Sequence, residues 1–173
     1  MGLIIRDVTS ADRDAVIGVT IGAYAQYSDS LPADRWEPYR DSILASFDGD
    51  RPAARIVAEE DGRIVGSVQL FLSSEAAYGA PELGITNPII RLLAVPPEHR
   101  GKGIATALIR EAAARSVRLG ADWLNLHTSD MMASAVSLYE RLGFERAVET
   151  DIMNGETLVK GYRLNLAQKA ASL

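Results

Sequence analysis

Apolar positions recur every second residue in some runs of the chain and every third or fourth in others, and these two periods separate strands from helices. Leu3 to Val8 reads as a first strand. Thr9 or Ser10 can cap the helix that follows, with Asp12 and Asp14 in its first turn and Val16, Val19 and Ala23 as its apolar stripe. Ser28 to Pro32 breaks the pattern, and a second helix runs from about Asp34 to Phe47, with Trp36, Tyr39, Ile43 and Phe47 on one side. Arg55–Glu59 and Ile64–Leu72 are strands joined at Asp61-Gly62, a strong hairpin signal. Ser73 to Asn87 is polar and small, and is expected to be a loop. Pro88 to Val95 is an apolar strand. A long amphipathic helix then buries Ile104, Ala105, Leu108, Ile109 and Ala112 and stops near Gly120. Asp122–Thr128 is a strand, Ala133–Leu142 a short helix ended by Gly143, and Phe144–Ile152 and Thr157–Leu166 two last strands about an Asn154-Gly155 turn. The order β-α-α-β-β-β-α-β-α-β-β describes a mixed α/β chain.

Length and composition narrow the class without naming it. The 173 residues predict one domain across 1–173, and 47% hydrophobic with 24% charged residues is ordinary for a globular protein. A net charge of −5 argues against nucleic acid as the main partner. The chain has no Cys, which removes thiolate catalysis, disulfides and cysteine metal sites. The start Met1-Gly2-Leu3-Ile4-Ile5-Arg6-Asp7 reads as a strand with no leader, and no apolar run approaches the ~20 residues of a membrane helix. The expectation is a cytoplasmic enzyme with no membrane partner.

The chemistry is concentrated where the apolar strand meets the long helix. Leu92-Leu93-Ala94-Val95 runs into Pro96-Pro97-Glu98-His99 and then Arg100-Gly101-Lys102-Gly103-Ile104-Ala105-Thr106. Gly103 and Ala105 leave little side chain at the helix start. Unpaired N–H groups and a partial positive charge there suit a pyrophosphate. A P-loop is ruled out by Pro96 and Gly103, and a dinucleotide fingerprint by Thr106. A tight turn with no ligand is the plain alternative.

The pattern Arg-x-x-Gly-x-Ala between strand and helix resembles the acyl-coenzyme A signature of the GNAT N-acetyltransferase superfamily. The resemblance implies a GNAT fold: a mixed, mostly antiparallel central sheet of about seven strands, flanked by four helices and splayed between the fourth and fifth strands. It implies that acetyl-CoA is the cosubstrate. Backbone groups of Leu93, Ala94 and Val95 would pair with the pantetheine arm, and a bulge in that strand would open a wedge for the thioester carbonyl. N–H groups from Arg100 through Gly101, Lys102, Gly103, Ile104 and Ala105 to Thr106 would hold the pyrophosphate, with Arg100 and Lys102 either adding charge or simply solvated.

A second stretch resembles the same family. Its usual core Ala-x-x-Leu-Tyr-x-x-Leu-Gly-Phe is matched by Ala135, Leu138, Tyr139, Leu142, Gly143 and Phe144. The match implies that Tyr139 is the general acid toward the leaving thiolate. The same positions form one helical stripe, so a place in the core also accounts for Tyr139. Many members carry Asn where this chain has Met132, so any contact to the cofactor arm from that position is apolar or through the backbone. A subset of members has Met there after a strand like Leu124-Asn125-Leu126-His127-Thr128. Many members place a basic Glu early in the fourth strand, but Pro88-Ile89-Ile90-Arg91 has no carboxylate. His127 is the best substitute for the base, ahead of Glu82, Asp130 and Glu75, and water held by backbone carbonyls serves equally. His99 and His127 are the only histidines and lack metal spacing, so no metal is expected.

Tyr24, Tyr27 and Trp36, with Tyr39, cluster in the first two helices, which usually roof the acceptor pocket in this fold. They would bind an apolar or cationic acceptor, or else pack the helices onto the sheet. Asp29, Asp34, Glu37 and Asp41 favour a cationic amine nearby, or are simply surface charge. The resulting expectation is an N-acetyltransferase acting on a primary amine of a small molecule or peptide by direct attack in a ternary complex. The family also allows a homodimer. Two rival readings are a non-catalytic acyl-CoA-binding sensor with the same fold and a nucleotide-binding module.

Overall fold

The computed structural model describes residues 2–25, 33–128, 133–154 and 157–169. In chain order the elements are β1 (Ile4–Asp7), α1 (Arg13–Ala25), α2 (Ala33–Ala45), β2 (Ala54–Glu60), β3 (Arg63–Phe71), α3 (Ser74–Tyr78), β4 (Ile89–Ala94), α4 (Ile104–Arg118), β5 (Trp123–Thr128), α5 (Ala133–Leu142), β6 (Glu145–Arg146), β7 (Ile152–Asn154), β8 (Thr157–Asn165) and α6 (Leu166–Lys169). They fall into two compact units, Met1–Leu70 with Leu92–Ile109, and Phe71–Arg91 with Arg110–Leu173. The strand β4 and the helix α4 each give residues to both.

In the first unit the strands lie in the order β1-β2-β3-β4. β1 pairs antiparallel with β2 from Ile4↔Glu59 to Asp7↔Ile56, and β2 with β3 through the Asp61-Gly62 turn, both of whose residues are left-handed. Val16 of α1, Ile43 of α2, Phe47, Val57 and Leu92 form its buried cluster, with Tyr24 packed beside it. At Gly66 the sheet takes α4 at close range. A Cβ there would lie 2.8 Å from Ile104 Cγ2, 3.1 Å from Leu108 Cδ1 and 3.3 Å from the Ala94 carbonyl oxygen. Only a residue without Cβ lets the first turn of α4 settle so deeply on β3.

In the second unit β4 pairs parallel with β5 at Ile89↔Asn125, and β5 runs antiparallel to β8 from Trp123↔Asn165 to Thr128↔Lys160. β6 and β7 both pair with β8. Phe71, Ala77, Ile85 and Ile89 make a compact apolar cluster here.

The molecule is therefore mixed α/β, mostly antiparallel with one parallel β4–β5 pair, as the sequence predicts. Eight strands stand where about seven were expected, because the stretch expected as one strand over 144–152 is interrupted. β6 ends at Arg146, a 3₁₀ turn occupies Val148–Thr150, and β7 resumes at Ile152. The stretch 73–87 is not a plain loop. Ser73 Oγ accepts the Ala76 N–H at 3.2 Å and starts α3, and Pro81–Leu83 forms a 3₁₀ turn. Segments this short carry no readable period. The turn between Asn154 and Thr157 lies outside the described residues. Among the described residues no helix is long and apolar enough to cross a membrane.

Candidate functional site

The glycine turn belongs to the first unit. After β4 the chain makes a 3₁₀ turn at Pro97–His99, and Gly101 and Gly103 take φ of +78° and +81°. Left-handed backbone at Gly103 turns the chain directly into α4. The helix closes its first bond from the Ala107 N–H to the Gly103 carbonyl at 3.0 Å. The N–H groups of Ile104, Ala105 and Thr106 precede that bond, so they have no acceptor one turn back in the helix. A Cβ on Gly101 or Gly103 would meet nothing within 4 Å, so the turn is open at both glycines. Such a main-chain cradle, at the positive end of a 15-residue helix, fits a pyrophosphate. Arg100 Nε donates to the Val95 carbonyl at 3.0 Å, so this side chain braces the turn, while Lys102 is exposed.

β4 itself is kinked. Leu92 has φ of +56°, a left-handed conformation that costs a residue with a Cβ about 1–2 kcal/mol. Burial of its side chain with Val16, Ile43, Phe47 and Val57 holds it there. One residue on, Tyr24 Oη donates to the Leu93 carbonyl at 3.1 Å. Tyr24, expected to meet an acceptor or to pack the helices onto the sheet, uses its hydroxyl to tie α1 to β4 at Leu93, one of the residues expected, with Ala94 and Val95, to pair with pantetheine. Trp36 is half-buried on α2. Tyr27, Asp130 and Met132, and the side chain of Tyr39, lie outside the described residues.

The second unit holds the other predicted residues. His127 on β5 has both ring nitrogens engaged: Nε2 with the Thr150 carbonyl at 2.8 Å and Nδ1 with Tyr78 Oη at 2.8 Å. A carbonyl only accepts, so Nε2 carries the proton. Burial, opposed by the Thr150 carbonyl and by Asp151 and reinforced by Arg91, pushes the imidazole below its ordinary value. The neutral ring then accepts the Tyr78 hydroxyl proton at Nδ1, with the two rings edge to face at 5.1 Å. His127 thus offers no open lone pair of its own, and any base role must run through Tyr78. Glu75 and Glu82 are both exposed.

Two features place this pair. Gly161 faces His127 across the β5–β8 ladder. A Cβ on it would collide with Thr150 Oγ1 and come within 2.9 Å of the Ala147 carbonyl. The missing side chain makes room for the 3₁₀ turn whose Thr150 carbonyl holds the imidazole. Asp151 follows, gripped by Arg146 through two bonds of 2.7 Å and accepting the Gly161 N–H at 2.8 Å; its carboxyl is held down at about 2, chiefly by Arg146. On the other flank, Arg91 of β4 lies 4.9 Å from the Tyr78 ring centroid and donates Nη1 to the Ala77 carbonyl at 2.9 Å.

Tyr139 on α5 is 8% exposed, 5.8 Å from Phe144 between ring centroids, and its carbonyl accepts the Phe144 N–H at 3.0 Å. The Gly143-Phe144 pair of the second motif thus caps the helix that carries the tyrosine. Sequence reasoning missed Tyr78, in the stretch expected as a loop, and Thr150 and Gly161, whose expected strands gave no sign that they meet His127. Arg91 did leave a signal, as the lone charge in an apolar strand.

Known proteins agree with this architecture. A profile of the family described as "Acetyltransferase (GNAT) domain" matches residues 52–146. N-acetyltransferase 8B of Rattus norvegicus is 35% identical over 104 residues, covering 60% of this chain and 45% of its own, so this chain spans less than half of that relative's length. N-alpha-acetyltransferase 30 of Schizosaccharomyces pombe is 33% identical over 116 residues, covering 67% of this chain and 73% of its own. The crystal structure of the PaiA N-acetyltransferase of Thermoplasma acidophilum in complex with coenzyme A has the same fold, with a TM-score of 0.66 at 17% identity over 93% of this chain and 98% of that one. By the family match over residues 52–146 and the likeness to N-alpha-acetyltransferase 30, the chain belongs to the GNAT acetyltransferase family.

Proposed function

We propose that the protein is an acetyl-CoA-dependent N-acetyltransferase that acetylates a primary amine by direct attack in a ternary complex. The observation that carries this reading is the open, donor-lined turn at Gly101–Gly103 ahead of α4. Acetyl-CoA, when bound, supplies an activated thioester. The N–H groups from Arg100 to Thr106 hold its pyrophosphate, and the main chain of Leu93, Ala94 and Val95, bent at Leu92 and braced by Tyr24, serves its pantetheine arm. Tyr139 donates its phenolic proton to the leaving sulfur, a role supported by its position in the second motif. His127, through Tyr78, takes the proton of the amine: the Tyr78 oxygen accepts it as the Tyr78 proton passes to Nδ1.

The test is thermal unfolding with acetyl-CoA, CoA, ATP and NADH, followed by thiol release with a panel of amines. Ligand at ~100 times its Kd adds roughly 2.7 kcal/mol, which moves the midpoint by about 5–10 °C in a domain of this size. A shift confined to acetyl-CoA and CoA is the expected result. A shift with ATP or NADH instead defeats the reading, and CoA binding without any thiol release reduces the protein to a cofactor-binding module.

A further inference from the structure

The half-buried arginines of this protein divide by what they face. Arg6 meets Asp12 and Glu59, Arg115 meets Glu111, Arg146 meets Asp151 and Arg163 meets Glu149. Arg55 makes three bonds to the carbonyls of Ser46 and Gly49. Arg91 has neither arrangement. Its one hydrogen bond runs from Nη1 to the Ala77 carbonyl, and among the described residues no carboxylate pairs with it. Its guanidinium lies over two aromatic rings, 4.9 Å from the centroid of Tyr78 and 5.8 Å from that of Phe71. The stacked fork is therefore held in place while most of its N–H groups face no acceptor among the described residues. A guanidinium has five such donors in a planar array that matches a carboxylate with two parallel bonds.

Among the described residues the surroundings do not supply the missing charge. Burial favours the neutral form of His127, whose Nδ1 accepts a hydrogen bond from the Tyr78 hydroxyl. Asp151, the acid that acts on His127, is committed to Arg146 and the Gly161 N–H. Glu75, on the same helix as Tyr78, is exposed and makes no bond to Arg91. Phe71, over which the guanidinium also lies, belongs to an apolar cluster with Ala77, Ile85 and Ile89, none of which carries charge. A partly desolvated cation of this kind costs stability unless an anion completes it.

We propose that Arg91 binds a carboxylate of the acceptor, so that the substrate is an amine carrying a carboxylate, of the α-amino acid class, and not a simple alkylamine. The Tyr78 ring that the guanidinium lies over also carries the hydroxyl proposed above to take the proton of the amine. The inference rests on the N-acetyltransferase reading for its chemistry, but the carboxylate contact can be measured without turnover.

The experiment titrates CoA-saturated protein calorimetrically with a set of α-amino acids, each paired with its decarboxylated amine and its amide: phenylalanine with phenethylamine and phenylalaninamide, glutamate with 4-aminobutyrate and isoglutamine, and so on. Thiol release with acetyl-CoA is then read for the same compounds. The expected result is at least one acid bound tenfold or more tighter than its α-decarboxylated partner, with the same preference in KM. Arg91→Gln should raise that KM more than tenfold, erase the preference for the acid over its decarboxylated amine, and leave the KM for acetyl-CoA within about twofold. Arg91→Lys, which keeps the charge and loses the fork, should fall between and guards against a folding defect. Equal use of acids and their decarboxylated partners overturns the inference, as does a variant that lowers kcat for both alike. Carboxylate binding that depends on Arg91 but comes with no thiol release upholds the inference and strikes the acetyltransferase reading instead.

Discussion

The two units build their sites from different material. In the first, the turn at Arg100–Thr106 presents main-chain N–H groups, and its side chains contribute little: Arg100 braces the strand end and Lys102 is exposed. In the second, Tyr78, Arg91, His127 and Thr150 make a cluster in which nearly every contact is a side chain's. A main-chain site tolerates most substitutions and fails where a glycine is lost. A side-chain site fails one group at a time. The first suits a ligand whose recognised part never changes, such as a pyrophosphate, and the second suits an acceptor whose identity sets specificity.

Gly161→Ala should have the largest effect, because the second unit cannot absorb a Cβ there without moving Thr150 and the Ala147 backbone. Overpacking against main chain costs about 1–3 kcal/mol, and the upper end is expected here. Denaturant unfolding measures it, and an unchanged midpoint would show that the turn at Val148–Thr150 is not packed on β8 as described. Gly103→Val comes next. Nothing in the protein opposes its side chain, so the cost comes from the left-handed backbone at φ +81° and from methyl groups set before the N–H donors. The backbone strain lowers stability by about 1–2 kcal/mol, while the added methyl groups, which oppose only the bound pyrophosphate, raise the Kd for CoA roughly tenfold or more. If calorimetry found CoA affinity unchanged, the main-chain cradle would lose its role. Tyr139→Phe is smaller: kcat should fall roughly tenfold while CoA affinity holds, the ordinary scale for losing a general acid. A rate equal to the parent's would leave Tyr139 as core packing against Phe144.

The same division governs how much could be read in the sequence. A main-chain site needs glycines at fixed spacing between a strand and a helix, and Arg100-Gly101-Lys102-Gly103 displays them in one run. The helix that carries Tyr139 and its cap at Gly143-Phe144 are just as local. The second cluster draws on positions 78, 91, 127, 150 and 161, brought together by β8 lying between β5 and β6 and by a short helix too brief to show a period. His127 was visible as a neutral-range titrating group, but its partners were not, so nothing in the sequence shows that Tyr78 occupies its Nδ1. Tyr24 illustrates the converse: its aromatic neighbours suggest a ligand, while its hydroxyl serves the backbone of Leu93.

The smallest expected effect is also the one that separates the units most cleanly, because it depends on pH alone. His127 is held below its ordinary value of 6.5, with burial as the main cause. In the unfolded chain the imidazole takes up a proton as pH drops through about 6.5, whereas the folded ring resists until lower pH. Over that window the unfolded state binds more protons, so stability falls as pH decreases from 7 toward 5, and this group contributes no slope above it. The acids with displaced values act only later: Asp151, held at about 2 from 3.8, and Asp12, held lower still by Arg6, lose their stabilisation below about pH 4. Of these three groups, His127 alone titrates between pH 7 and 5, and it lies in the second unit. Hydrogen exchange at pH 5 should therefore show faster opening of β5, β8 and the Val148–Thr150 turn than of β1 to β3, and His127→Gln should flatten the dependence even though it lowers stability at pH 7. Parallel loosening of both units in the parent protein would mean that the proton is taken up elsewhere, and the neutral imidazole bridging Tyr78 and Thr150 would no longer account for the second unit's sensitivity.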